Sequence, residues 1–240
     1  MSAKLICYLS NGYPTAEKTI ETAAYYVEGG CDIIEIDIPN DDAYMDSDLI
    51  AGRMRSSWEK SQDYDEYFNT IKTISTNHPE AGIIVLLYEK TVKDIGVDKF
   101  ISKCLENDTK DLILVGIEND VVTKQLMAGG LKVSSYVPFH LPDLEVEEAK
   151  KSNGFVYLQA KPAGKVKEGY ETLDKCIAYL REQGIDRPMY CGVGVSTKED
   201  MEMVSKAGGD AAFVGSAVLT KQDNPKELVE FIKELKEGTR

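Results

Sequence analysis

The feature that most restricts the fold of this 240-residue chain is a repeated grammar: a short β-branched run, an apolar stripe at helical spacing, then a turn. Residues 5–9 read as a first strand, followed by the Asn11-Gly12-Tyr13-Pro14 turn. Thr15 stands where a helix cap belongs, ahead of Ile20, Ala23, Ala24 and Val27 at i, i+3, i+4 and i+7. Gly29-Gly30 stops that helix and leads into a strand over 33–38, which completes a βαβ unit. Further strands are expected over 82–87, 111–115, 132–136, 155–159, 189–191 and 211–214. Helices are expected over 61–75, around Val97 to Leu105, over 121–128 and 145–152, around Leu173 to Leu180, from the Ser196 cap to 206, and from Pro225 onward. Runs without alternation, such as Ile83-Ile84-Val85-Leu86-Leu87, mark strands buried on both faces. Eight strand-then-helix units in this length fit a closed barrel better than an open doubly wound sheet of five or six strands. The expectation is therefore an α/β fold, one (β/α)₈ TIM-barrel domain over residues 1–240, since no linker or composition break divides the chain.

Composition narrows the function classes. A net charge of −13 argues against a nucleic-acid or anionic-membrane surface, both of which need a concentrated basic face. No apolar run approaches the length of a membrane span. Cys7, Cys31, Cys104, Cys176 and Cys191 are scattered, with no Cys-x-x-Cys and no paired histidines, so reduced thiols and no structural metal are expected. With no basic-then-apolar leader at the start, the expected location is cytoplasmic. His78 and His140 are too few and too isolated to nominate a nucleophile–histidine pair, and each reads as a surface or loop residue.

The stretch Ile33-Ile-Glu-Ile-Asp-Ile-Pro39 carries the first chemical signal. Burying a carboxylate costs several kcal/mol unless it is paired, so Glu35 in such a strand either holds a structural partner or does chemistry. Four more acids, Asp41, Asp42, Asp46 and Asp48, follow in the next loop. Hard oxygen ligands of this kind could hold Mg²⁺, but acidic loops are usually solvated, and no metal or other cofactor is expected. In a barrel the chemistry sits at the C-terminal ends of the strands. That places this loop, Tyr88, the 161–169 loop, Gly192-Val-Gly-Val-Ser196 and Gly215-Ser216 on one face, with Glu35 pointing into the barrel beneath it. Glycine-bearing turns entering helices after the seventh and eighth strands are suited to an anion, because backbone N–H groups approach closely there. A phosphorylated small-molecule substrate is the expectation.

On these residues the chain resembles the tryptophan synthase alpha chain family. The matches run in order: Tyr8-Leu-Ser-Asn-Gly-Tyr-Pro14, Glu35-Ile-Asp-Ile-Pro39 with Asp42 and Asp46, Leu86-Leu-Tyr88, Gly154-Phe-Val-Tyr-Leu158, Gly192-Val-Gly-Val-Ser196 and Val214-Gly-Ser-Ala217. The spacing of Glu35 to Asp46 is that of the family's two catalytic carboxylates. The resemblance implies a cofactor-free retro-aldol lyase that cleaves indole-3-glycerol phosphate to indole and glyceraldehyde 3-phosphate. It implies that Glu35 is the general acid at the ring carbon and base at the glycerol hydroxyl, and that Asp46 accepts a hydrogen bond from the indole N–H. Tyr8, Tyr88 and Tyr157 match pocket positions; Gly194, Gly215 and Ser216 match phosphate contacts, joined by Gly164 from the loop after the sixth strand. A tryptophan synthase beta chain is the implied partner.

Several loops depart from the family pattern: Asn40-Asp-Asp-Ala43, Asp46-Ser-Asp48, Glu89-Lys90, Gly116-Ile-Glu118 and Lys161 to Gly169, which lacks the family's lid threonine. They leave two alternatives open, a divergent phosphate-binding barrel enzyme with another phosphorylated substrate and a non-catalytic regulatory subunit.

Overall fold

The computed structural model describes residues 2–239. Nine strand segments form a single sheet of parallel pairs: β1 (Lys4–Leu9), β2 (Ile33–Asp37), β3 (Gly82–Tyr88), β4 (Asp111–Val115), β5 (Lys132–Val133), β6 (Ser135–Val137), β7 (Val156–Gln159), β8 (Met189–Gly192) and β9 (Ala211–Val214). The order β5-β4-β3-β2-β1-β9-β8-β7-β6 puts two consecutive segments at its two ends. Residues 132–136, expected as one strand, therefore change partners midway. Lys132 and Val133 pair with β4, while Ser135 to Val137 pair with β7, so the barrel closes at Ser134.

That closure needs a close approach. A Cβ on Gly154 would lie 2.6 Å from the carbonyl carbon of Val133 and 2.7 Å from the Ser134 nitrogen, and neither backbone atom can swing aside. Gly154→Ala is expected to destabilise the fold by about 1–3 kcal/mol, through forced displacement of the β5–β6 junction. A thermal melt measures this, and an unchanged melting temperature would remove Gly154 from the account of closure.

The helices are α1 (Ala16–Gly29), α2 (Asp48–Lys60), α3 (Tyr64–Asn77), α4 (Glu89–Ile95), α5 (Val97–Glu106), α6 (Asp120–Ala128), α7 (Asp143–Lys151), α8 (Leu173–Glu182), α9 (Lys198–Ala207), α10 (Ser216–Leu219) and α11 (Pro225–Glu237). Thr15 caps α1 as expected, its hydroxyl accepting from the Lys18 N–H. Two expected caps are corrected. Ser61 does not start a helix: its hydroxyl accepts the Asp63 N–H, and Asp63 caps α3. Thr197, not Ser196, caps α9, in a capping box with Asp200. Helix α2 was not expected, because it buries little beyond Met54 and Ser57 and so shows no apolar stripe.

The strand alternation builds two cores. Outward residues such as Leu5, Cys7, Ile34, Ile36, Val85 and Leu87 pack under the helices. Inward residues Ile6, Tyr8, Ile33, Ile84, Leu86, Tyr88, Ile113, Phe155 and Phe213 fill the barrel. Tyr157 stacks on Phe213 with ring centroids 4.3 Å apart, and Phe155 stacks on Tyr190 at 4.5 Å. All five cysteines are buried free thiols. No helix among the described residues is long and apolar enough to cross a membrane.

Candidate active site

Because side chains alternate along β2, Ile33, Glu35 and Asp37 share the inward side. Ile33 belongs to the barrel filling, so Glu35 sits above it and Asp37 at the mouth. Glu35 is 6 % exposed. Among the described residues no cation pairs with it, and burial, reinforced by the charges of Asp46 and Asp37, pushes its carboxyl up to about 8. A carboxylic acid that keeps its proton near neutral pH is what a general acid requires.

The loop after β2 brings the second carboxylate over it. Asn40 organises this loop, donating to Thr91 Oγ1 at 2.9 Å and accepting from the Asp42 N–H at 2.7 Å. Asp41 pairs with Lys90 at 2.9 Å, and Asp48 lies in the first turn of α2, where the helix dipole favours it. Asp46 is half-buried. The Tyr88 hydroxyl donates to its Oδ2 at 2.7 Å and accepts the Met45 N–H at 3.0 Å. Burial pushes the Asp46 carboxyl up and the Tyr88 hydrogen bond opposes the rise. Asp41 and Asp46 thus have separate partners, and no group of three His, Cys, Asp or Glu side chains among the described residues converges on a metal position.

The tyrosines take distinct places. Tyr8 is beside Glu35 in the β1–β2 register, but its hydroxyl donates to Asp37. Tyr88 positions Asp46. Tyr157 lies across the barrel, close enough for the Glu35 charge to raise its phenol further above the usual range, after burial. Gly192 makes room for it, since a Cβ there would lie 2.4 Å from the Tyr157 hydroxyl.

Further round the same rim, beyond β1, Gly194 has φ +88 and stands exposed after β8. Gly215 and the exposed Ser216 begin α10 after β9. The start of α9 is already occupied by the protein: Asp200 Oδ2 accepts from the Ser196 N–H at 2.9 Å and the Thr197 N–H at 3.3 Å. Gly194, Gly215 and Ser216 stand in the turns after β8 and β9 at the same end of the barrel as the loop after β2. The aliphatic part of Lys161 lies 3.2 Å from where a Gly194 Cβ would be, and its ammonium pairs with Asp200 at 2.5 Å. This cation beside the glycine turn was not singled out from the sequence, where Lys161 reads as one of several loop lysines. Gly164 is exposed, and a Cβ on it would meet nothing within 4 Å.

Two departures from the family pattern prove to be one unit. Glu89 is fully buried, accepts the Glu118 N–H at 3.1 Å and pairs with Lys93 at 2.6 Å; Lys93 also reaches Glu118 at 2.9 Å. Glu89 and Lys93 of α4 thus hold the loop after β4.

A parallel barrel with a buried carboxyl under its C-terminal mouth and glycine-bearing turns after its last two strands has the layout of a (β/α)₈ enzyme. The profile of the tryptophan synthase alpha chain family matches residues 1–239. A tryptophan synthase alpha chain of Methanosarcina barkeri is 30% identical over 98% of this chain and 91% of its own length. One from Synechocystis is 29% identical over 97% and 92%. Among solved structures, a protein from Aquifex aeolicus superposes with TM-score 0.86 at 23% identity, covering 99% of this chain and 93% of that one. The aminoacrylate-bound tryptophan synthase of M. tuberculosis gives 0.83 at 23% identity, covering 100% and 94%. The chain belongs to the tryptophan synthase alpha chain family.

Proposed function

We propose that the chain is a lyase that cleaves indole-3-glycerol phosphate to indole and glyceraldehyde 3-phosphate, with Glu35 as its acid and base. The observation that carries the reading is the buried, unpaired Glu35 carboxyl, which holds its proton up to about pH 8 beneath the mouth of the barrel. In the forward direction Glu35 gives its proton to ring carbon C3, and the ring becomes a cation. The carboxylate so formed takes the proton of the neighbouring side-chain hydroxyl as the bond from C3 to that carbon breaks. The bond pair returns to the ring, the hydroxyl carbon becomes the aldehyde, and Glu35 ends protonated as it began. Asp46 accepts the indole N–H and stabilises the ring cation while it lasts, in a half-buried setting where the attraction exceeds its value in water. Gly194, Gly215 and Ser216 hold the phosphate, with Lys161 beside them. Tyr88, which holds Asp46, and Tyr157, near Glu35, flank the acid pair where the ring would lie. A partner beta chain would meet the face formed by the loops after β2, β3 and β4, where Tyr44 and Met45 are 67% and 61% exposed.

The test follows free indole from indole-3-glycerol phosphate, with and without a tryptophan synthase beta chain. Asp46→Asn is expected to lower kcat about 100-fold with KM little changed, since the lost charge acts on the ring cation and not on the ground state. Absence of indole from the wild-type chain under both conditions would end the proposal. Indole release insensitive to Asp46→Asn would remove Asp46 from it.

A further inference from the structure

Asp37 is a second buried carboxylate, and the reaction above leaves it without a task. It is 0% exposed, at the last position of β2, on the same inward side as Glu35. The Tyr8 hydroxyl donates to its Oδ2, and the Asn11 N–H donates to its Oδ1 at 3.1 Å. Tying the turn after β1 to the end of β2 would need only an acceptor, which an amide supplies. A carboxylate at this depth costs several kcal/mol more than an amide unless its charge is used.

We propose that Asp37 is a positioning residue for Glu35: anchored by Tyr8 and Asn11 at the barrel mouth, on the same inward side of β2, its carboxylate disfavours a second negative charge on Glu35. The inference rests on the reading of Glu35 as the acid of the site. The groups acting on Glu35 from the packed elements are Asp37 on its own strand and Asp46 from the loop above. Tyr8 and Cys7 of β1 and Tyr157 of β7 feel its charge in turn. On Asp37 act Tyr8, Asn11, Asp46 and Arg53 of α2, and Tyr67 of α3 feels the Asp37 charge. Burial lifts both carboxyls, and among the described residues only Asp37 is given donors, the Tyr8 hydroxyl and the Asn11 N–H, with Arg53 acting in the same direction. Those donors favour the charge on Asp37 over one on Glu35, and a charge on Asp37 opposes ionisation of Glu35 two residues along the same face of the strand.

The experiment titrates Glu35 in the full-length chain by carboxyl ¹³C NMR, assigned with Glu35→Gln, in wild type, Asp37→Asn and Tyr8→Phe. Asp37→Asn is expected to lower the Glu35 midpoint by about one pH unit, since the neighbouring charge is gone. Tyr8→Phe removes the donor that favours ionised Asp37, so the Glu35 midpoint moves the same way by a smaller amount. The double variant moves no further than Asp37→Asn alone. In Asp37→Asn the alkaline limb of kcat/KM for indole-3-glycerol phosphate, set by loss of the Glu35 proton, moves down with the midpoint. If Asp37→Asn does not fold, Tyr8→Phe carries the same test. A Glu35 midpoint unmoved in both variants overturns the proposal and leaves Asp37 a structural anchor. A midpoint that moves while the limb stays overturns its role in turnover. A midpoint that moves in a wild-type chain releasing no indole supports the Asp37–Glu35 coupling and sinks the lyase reading alone.

Discussion

Glu35→Gln is expected to lose turnover by about 10³-fold or more and to melt at a higher temperature than the wild-type chain at neutral and alkaline pH. The loss is large because in the proposed reaction one side chain serves both as the acid at the ring carbon and as the base at the hydroxyl, and the amide can do neither. The gain in stability follows from linkage. The Glu35 carboxyl ionises near 4.5 when unfolded and near 8 in the barrel. Below the unfolded value the group is neutral in both states and contributes nothing unfavourable. As pH rises from there, the unfolded chain ionises freely while the folded chain must keep the proton, so stability drains away until the folded carboxyl also titrates. Gln is nearly isosteric with the neutral acid and never ionises. The melting curves of variant and wild type should therefore coincide near the ordinary carboxylate range and diverge with rising pH, towards a ceiling on the order of a few kcal/mol above the folded midpoint. An inactive variant whose stability tracks wild type at every pH would mean that Glu35 is solvated like a surface acid. An active one would mean that the proton comes from elsewhere.

The barrel was legible because its grammar is redundant. Strands such as Asp111–Val115 and Ala211–Val214 are short apolar runs bounded by polar turns, and both match their expected bounds. Helices such as α8 and α11 keep a full stripe of buried residues, Leu173, Cys176, Ile177 and Leu180 in one, Leu228, Ile232 and Leu235 in the other. What failed was whatever lacks an apolar face. Helix α2 buries almost nothing beyond Met54 and Ser57, α4 is a short extension of the turn after β3, and the split of the fifth strand depends on which neighbour each half meets. None of these leaves a period in the sequence.

The candidate site divides along the same line. Glu35 stood out because a carboxylate amid β-branched residues is anomalous whatever surrounds it. Asp37 stood in the same run with the same anomaly, yet its role depends on Tyr8 and Asn11, which only the β1–β2 register brings to it. Asp41 and Asp46 look alike on the page and differ in space: Lys90 neutralises the first on the rim, while Tyr88 reaches out from the barrel to hold the second over the acid. The partners of an acid, and so its chemistry, are set by tertiary contacts.

The glycine turns after β8 and β9, proposed to hold the phosphate, give the second large effect, and it is one of binding. Gly194→Asp should raise KM for the phosphorylated substrate about 100-fold with little change in kcat. At φ +88 the residue is in the left-handed region, where a side chain costs roughly 1–2 kcal/mol. A carboxylate about 4 Å from a bound phosphate adds repulsion of about 4 kcal/mol per charge pair at a surface-like effective dielectric, before salt screens it. The repulsion by itself exceeds the 2.7 kcal/mol or so that a 100-fold change requires, while the strain is common to the free and bound chain and lowers stability instead. The new carboxylate would also compete with Asp200 for Lys161, which lies against Gly194. Gly208 separates the two effects. It closes α9 at φ +85 with open space around it, at the far end of that helix from the glycine turn. Gly208→Asp carries the same strain and the same charge without facing an anion. Glycerol 3-phosphate should raise the melting temperature of wild type and of Gly208→Asp by mass action, and leave Gly194→Asp unmoved. If the two variants respond alike, the turn after β8 is a corner of the fold and the anion binds elsewhere. If only Gly194→Asp fails, the turns after the last two strands hold the phosphate while β2 supplies the acid, and the substrate spans the mouth between them.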